Sequence, residues 1–290
     1  MTTTKVRIVC ISDTHNARPG EGYTLPKGDI LIHAGDLTNQ GSYSELAKAV
    51  AWLEEADFSV KIVVAGNHDL SLDPNYSLKH KEGWRVQPGD VDDCRRLLTA
   101  STSLTYLQHT SAVVDVPGKQ VSLRFFGSPY SPERSRQKWA FQYPDNEAEA
   151  LWEAIPTDTD VLITHTPPLN HCDASEHWRD GGCPTLLEAL IRVKPLLHIC
   201  GHCHEGRGAV TVNWTNIAGD AVEKWEDPGE GNRKQSLLDL AGAHGKAPLQ
   251  AGVETSIVNA SIMAKSFGRG AKAFNKAIVV DLNLSIREPV

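Results

Sequence analysis

Seven side chains of metal-ligating type recur along the chain, each just after a short apolar run: Asp13, His15, Asp36, Asn67, His165, His202 and His204. Singly, each fragment is ordinary turn chemistry, because Asp, Asn and Gly favour tight turns. Their order, and their shared place after an apolar run, give the set its meaning. Carboxylate, imidazole and amide donors are of intermediate hardness. They suit Mn, Fe, Zn, Co or Ni better than the all-oxygen shells of Mg or Ca. Two divalent ions fit the donor types. Asp13, His15 and His204 supply one ion, Asn67, His165 and His202 the other, and the Asp36 carboxylate, with its two oxygens, bridges them. Two carboxylates against two divalent ions leave a positive surplus, which attracts a phosphate and stabilises the charge that builds on it.

These side chains need elements to position them. Residues 6–12, 29–35 and 61–66 are Ile- and Val-rich runs that read as buried strands. Between the second and third, residues 42–57 carry Leu46, Val50 and Leu53 at helical spacing behind Ser42 and Ser44 as caps. A strand, helix, strand order implies parallel pairing. The stretch after residue 69, rich in Asp, Pro and Gly, reads as loop, and residues 103–107, 112–116 and 121–126 read as a meander. Residues 145–155 and 184–193 then read as helices, and 161–165 and 196–200 as parallel strands. Residues 220–252 lose periodicity and read as a surface insertion, with at most one helical turn near 237–240. Residues 256–262 and 276–282 are expected to finish a second sheet. The whole reads as a single α/β domain over residues 1–290. In an open parallel sheet the carboxyl ends of the strands line the crevice, so five segments deliver ligand-type side chains to one edge.

With 290 residues, 40% of them hydrophobic, the chain can bury a full core without disulfides. The net charge of −7 repels phosphate backbones and argues against long nucleic acids as partners. No run approaches the ~18 apolar residues of a membrane helix, and no signal peptide is visible. The six cysteines lie largely in strand-like runs, which fits a reducing cytoplasm. Cys200 and Cys203 have the spacing of half a zinc knuckle but no second pair to complete it, so a structural role is expected.

Asp13-Thr14-His15, Gly35-Asp36, Gly66-Asn67-His68-Asp69, Thr164-His165 and Gly201-His202-Cys203-His204 together resemble the ordered signature of the calcineurin-like metallophosphoesterase superfamily. More narrowly, residues 11–15, Gly127-Ser128-Pro129-Tyr130 with Trp139-Ala140-Phe141, and residues 197–208 resemble the small metallophosphoesterase domain-containing proteins. The resemblance implies a four-layer α/β/β/α sandwich with two mixed sheets and a dimetal site at the strand carboxyl ends. It also implies a metal-bridging water or hydroxide that attacks phosphorus in line, with manganese the favoured metal. His68 resembles the family's catalytic histidine, which is not a ligand and which protonates the leaving group or stabilises the transition state. The protein serine/threonine phosphatases continue the bridging Asp as GDxxDRG, whereas Gly35-Asp36 runs on as Leu37-Thr38-Asn39-Gln40-Gly41. Asn39 stands where a carboxylate would orient the histidine, and Gln40 where an Arg would hold phosphate. A phosphoprotein substrate is therefore not expected.

The leading expectation is a hydrolase of small phosphodiesters, nucleotide or cyclic nucleotide in type. The alternatives are a phosphomonoesterase with the same site, and a binding or scaffold protein that keeps the metals as a staple. Tyr130, Trp139 and Phe141 are candidates to stack on a base, or to pack a loop onto the core. Arg18 and Arg207 are candidates to touch phosphate, or to sit solvated at the surface.

Overall fold

The computed structural model describes residues 2–76, 88–134, 138–176, 181–215, 222–242, 247–265 and 273–286. From the amino end come β1 (Thr3–Ile11), β2 (Ile30–Ala34), α1 (Tyr43–Glu55), β3 (Val60–Val64), α2 (Pro88–Thr99), β4 (Thr105–Leu107), β5 (Thr110–Val116) and β6 (Val121–Ser128). The short strands β7 (Ser131–Pro132) and β8 (Gln142–Tyr143) lead to α3 (Ala148–Glu153), β9 (Val161–Thr164), α4 (Pro184–Val193) and β10 (Leu197–Cys200). There follow β11 (Gly208–Asn213), β12 (Val222–Lys224), β13 (Ser236–Asp239), β14 (Glu254–Asn259) and β15 (Ile278–Ser285).

Two sheets carry the fold. The first runs β13-β15-β1-β2-β3-β4 and the second β12-β11-β14-β10-β9-β6-β5. Strands β1 to β4 pair in parallel, as do β6, β9, β10 and β14, while β15, β11 and β5 bring antiparallel pairing to each sheet. Successive side chains alternate faces. Ile8, Ile32 and Ile62 therefore meet Phe125, Ile163 and Ile199 between the sheets, while Val9, Leu31 and Val63 pack outward on Leu46, Leu53 and Leu98 of α1 and α2. Leu162 and Ile257 pack outward on Trp152 and Leu190 of α3 and α4. The result is a four-layer α/β/β/α sandwich. Its central strands β2, β3, β9 and β10 are buried throughout and mostly apolar because both faces are covered, with His33, Lys61, Thr164 and His198 as polar exceptions. Helix α1 starts at a capping box, in which Ser42 Oγ accepts from Glu45 N–H and the Glu45 carboxylate accepts from Ser42 N–H.

The structure corrects several readings. The Asp-, Pro- and Gly-rich stretch contains helix α2: Pro88 opens it, where a missing N–H costs nothing, and Val91, Cys94 and Leu98 bury one face. The meander does not form. Strand β4 pairs with β3 in the first sheet, and only β5 and β6 form a hairpin, in the second. Strand β15 joins the first sheet rather than finishing the second. Of residues 220–252, the described part supplies one edge strand to each sheet, and the patch near 237–240 is β13, not a helical turn. Leu238 and Leu240 enter the core between the sheets, with Trp225 and Leu249 packed against it. All six cysteines are free thiols. Among the described residues no helix is long and apolar enough to cross a membrane.

Candidate metal centre

The apolar strands end at one rim of the sandwich, and the seven expected ligands follow directly. Asp13 and His15 come after β1, Asp36 after β2, Asn67 after β3, His165 after β9, and His202 and His204 after β10. Four of them hold a left-handed backbone: Asp13 at φ 51°, His15 at 43°, Asp36 at 55° and His202 at 67°. Such conformations cost of order 1–3 kcal/mol each in a non-glycine residue and cluster at functional sites. Here they turn each chain sharply off its strand and aim the side chains inward. Gly66 is required by close approach, since a Cβ there would collide with Asp36 Oδ1 and the His165 ring.

The side chains converge. Asp13, His15 and His204 form one group, His15, Asp36 and His68 a second, and Asp13, Asp36 and His165 a third; within each, the ligand atoms lie within 4.8 Å of one another. Asp36 reaches both ways, with Oδ2 3.7 Å from His15 Nε2 and Oδ1 3.4 Å from His165 Nε2. Asn67 Oδ1 stands 2.9 Å from His165 Nε2 and 2.7 Å from His202 Nδ1, which brings the last two expected ligands into the cluster. All are buried except the half-buried His202.

Hydrogen bonds on the outer side of the rings set which nitrogen faces inward. His15 Nδ1 lies 3.2 Å from Thr38 O, His165 Nδ1 3.0 Å from Ala34 O, and His204 Nδ1 3.1 Å from Lys265 O. A carbonyl can only accept, so each Nδ1 carries a proton, and the neutral form of each ring points an Nε2 lone pair into the cluster. Such an outer N–H bond is the usual companion of a metal-bound imidazole. Yet His15 Nε2 and His204 Nε2 stand 3.3 Å apart. Two lone pairs at that distance repel, and a cation between them relieves it.

With protein atoms alone, protons must play that part. Burial opposes charge on every group here, but the hydrogen bond and charge of Asp13 outweigh it and push His204 up to about 9. The charge and hydrogen bond of Asp36 likewise push His165 up to about 9. Both carboxylates are held below the usual range against the same burial, Asp13 by His204 and Asp36 by His165 and His68. Burial, with neighbouring imidazoles, takes His15 and His202 down to about 3. Buried anions that draw protons onto imidazoles are suited to hold divalent ions in their place, and the donor set fits such ions.

Several supporting groups escaped the sequence reading. Asp69 accepts from the N–H groups of Gly66, Leu37 and Thr38 and from Thr38 Oγ1, tying the loop after β2 to the loop after β3. Burial and the charge of Asp36 push its carboxyl up to about 6. Ser12 and Ser261 both donate to Asp13 Oδ2, at 2.5 and 2.8 Å. Asp69 belongs to the Gly66–Asp69 motif and could be noticed there. Ser261 has no local signal.

His68 is half-buried at the edge of the cluster. Its backbone N–H donates to Asp36 Oδ1 at 2.8 Å, and its Nδ1 lies 2.7 Å from the Asn39 backbone carbonyl. The ring is thus oriented by main chain, whatever side chain stands at 39. The Asn39 amide turns away to Glu45. Arg18 is exposed and paired with Glu21, and Arg207 is paired with Asp227, so neither matches the expected phosphate contact. Phe141 is buried in the core, and Tyr130 packs edge-on against it, which removes base stacking for Phe141. Trp139 instead packs against His68. Cys203 turns to Gly181 O, away from the cluster.

Residues 6–206 match the family described as calcineurin-like phosphoesterase. The chain is 44% identical over 211 residues to a probable rhamnogalacturonate lyase C of Emericella nidulans, covering 72% of this chain but 18% of that protein. It is 39% identical to a UPF0046 protein of Caenorhabditis elegans, over 72% of this chain and 67% of the relative. With metallophosphoesterase domain-containing protein 1 of Homo sapiens it shares 35% identity, over 74% of this chain and 66% of the relative. Among solved structures, one crystal structure covers 77% of this chain and 90% of its own at a TM-score of 0.52 and 14% identity, a likeness of fold alone.

Proposed function

The chain belongs to the calcineurin-like phosphoesterase family, and from that premise we propose that it hydrolyses small phosphodiesters of nucleotide or cyclic nucleotide type at a two-metal centre. Metal-dependent phosphoester hydrolysis is the chemistry of the family. The substrate class, the number of ions and the choice of manganese are our reading.

One observation carries it: the Asp36 carboxylate reaches both sides of the cluster, its Oδ2 3.7 Å from His15 Nε2 and its Oδ1 3.4 Å from His165 Nε2. In this reading Asp13, His15 and His204 would hold one ion and Asn67, His165 and His202 the other, with Asp36 available to both. When bound, divalent ions act as Lewis acids that neutralise phosphate charge and make water a better nucleophile. The chain does the rest. The carbonyls of Thr38, Ala34 and Lys265 keep the three rings in the ligating tautomer, and Ser12 and Ser261 hold Asp13 ionised and fixed. His68, anchored through Nδ1–H to the Asn39 carbonyl, would in its doubly protonated form give the Nε2 proton to the departing oxygen and be left neutral, a service typically worth ~10²–10⁴-fold.

One feature favours diesters: Arg18 and Arg207 are committed to carboxylates, so neither meets the second negative charge of a monoester dianion. The net charge of −7 separately favours small substrates over long nucleic acids. The test compares kcat/KM on bis-p-nitrophenyl phosphate and p-nitrophenyl phosphate at several divalent metals. The expected result is preference for the diester and loss of both activities with chelator. Preference for the monoester overturns the substrate class, and metal binding without turnover on either ester leaves a binding protein.

A further inference from the structure

We infer that Trp139 is a positioning residue for His68, its indole face and the Asn39 carbonyl together fixing the imidazole at the mouth of the metal centre. The functional part of this inference rests on the role proposed above for His68. The two ring centroids lie 4.1 Å apart with planes 32° from parallel, a close, tilted face contact. A single hydrogen bond at Nδ1 leaves the imidazole able to swing about that bond. A flat surface against one ring face removes the swing, so the two constraints together define where Nε2 points.

Both constraints are built into the fold. The Asn39 carbonyl sits on the turn before α1, and the Glu45 carboxylate grips that turn by accepting from the N–H groups of Asn39, Gln40 and Ser42 and from Asn39 Nδ2. The segment bearing Trp139 is tied to the loop that bears Asn67 and His68. Ala140 N–H donates to Asn67 O at 3.0 Å, Phe141 N–H to Asp73 Oδ2 at 2.8 Å, and Tyr76 O–H to Lys138 O at 3.1 Å. Trp139 N–H donates to Gln142 Oε1 at 3.0 Å. The indole and the imidazole thus move as one unit, although they come from segments on either side of α2 and β6. His15 meets the His68 ring edge-on at 4.7 Å.

The experiment is a double-mutant cycle of Trp139→Ala and His68→Ala, with Trp139→Phe as the variant that keeps an aromatic face. Each protein is assayed on 3′,5′-cyclic AMP, whose leaving oxygen is strongly basic, and on bis-p-nitrophenyl phosphate, with metal content measured in the same samples. Trp139→Ala is expected to keep its metal and its KM but to lose about 10²-fold in kcat on the cyclic nucleotide, the scale of a misplaced catalytic group. The aryl ester should suffer less, and Trp139→Phe should retain most of the rate. In the His68→Ala background the same change should cost almost nothing. Proton NMR of the protein loaded with diamagnetic Zn²⁺ gives a readout free of turnover. A His68 ring resonance shifted upfield by the indole in wild type and Trp139→Phe should return to the ordinary imidazole range in Trp139→Ala. Equal losses from Trp139→Ala in both backgrounds, or an unshifted His68 resonance in wild type, overturn the inference. Full activity of His68→Ala on both esters overturns instead the role of His68, and with it the functional part of the inference, while the NMR shift still reports whether Trp139 holds the ring.

Discussion

His15 and His204 point their Nε2 atoms at each other across 3.3 Å, from positions 189 residues apart in the chain. Each ring offers its other nitrogen to a backbone carbonyl, so neither can turn away without losing a hydrogen bond. With protein atoms alone a proton on His204 occupies the gap. A metal ion in place of that proton would take a lone pair from each ring.

Removal of metal should therefore destabilise the fold. A divalent ion supplied at 100 times its dissociation constant adds about 2.7 kcal/mol, which for a chain of this size raises Tm by roughly 4–5 °C. Differential scanning calorimetry with chelator, and then with Mn²⁺ added back, reads the difference. Identical melting temperatures would argue that nothing binds between the rings.

Replacing Asn39 should matter little for catalysis. His68 is held by the carbonyl of residue 39, which any side chain leaves in place, and the Asn39 amide contributes only a bond to Glu45. Asn39→Ala is expected to keep kcat/KM within about threefold, the loss of one half-exposed hydrogen bond. His68→Ala should retain metal and lose ~10²–10⁴-fold on esters with poor leaving groups. Kinetics on paired esters, with metal analysis, separates the two variants. A large loss in Asn39→Ala would mean the side chain, not the carbonyl, sets the ring.

How far the site is legible without coordinates follows from the strands. β1, β2, β3, β9 and β10 end in buried, mostly apolar runs, so the polar cluster after each run marks a carboxyl end. That is why Asp13, Asp36, Asn67 and His165 stand out. Helix α2 does not, because Pro88 and Gly89 give a helix start the look of a loop. β12 and β13 span 3 and 4 residues, too short to show alternation. Strand order is not written in local pattern at all, which is why β15 is misplaced and why the Ser261 bond to Asp13, spanning 248 positions, is invisible.

Residues 223–251 should be needed for stability, since β12 and β13 line the edges of both sheets. Leu238 is buried in the core between the sheets, and truncating a buried Leu typically costs ~2–5 kcal/mol. Leu238→Ala should lower the denaturant midpoint without changing metal content per folded chain. An unchanged midpoint would return this segment to the role of a dispensable insertion.

Acid should weaken the β1–β15 pairing through Asp281. Burial opposes its charge, but hydrogen bonds of 2.7 Å from Arg7 Nε and Nη2, with Lys5 at 3.2 Å, hold its carboxyl below the ordinary range. A depressed carboxyl contributes stability that is full above its unfolded pKa of about 3.9 and fades as pH falls through the folded value. Asp281→Asn should cost about 1–3 kcal/mol near pH 7, and the gap to wild type should narrow as pH falls below about 4. Denaturant melts at pH 7 and pH 3 check it. A gap as wide at pH 3 as at pH 7 would assign the loss to packing.

The most direct test of the metal-centred account is elemental analysis of wild type and Asp36→Asn, purified without added metal and then loaded with Mn²⁺, with hydrolysis of bis-p-nitrophenyl phosphate measured on the same samples. An amide at the shared position loses its charge and one good acceptor. The account predicts two ions per chain and turnover in wild type, and a joint fall of occupancy and rate in Asp36→Asn. Full occupancy of the variant, or turnover by wild type that survives complete removal of metal, would contradict it.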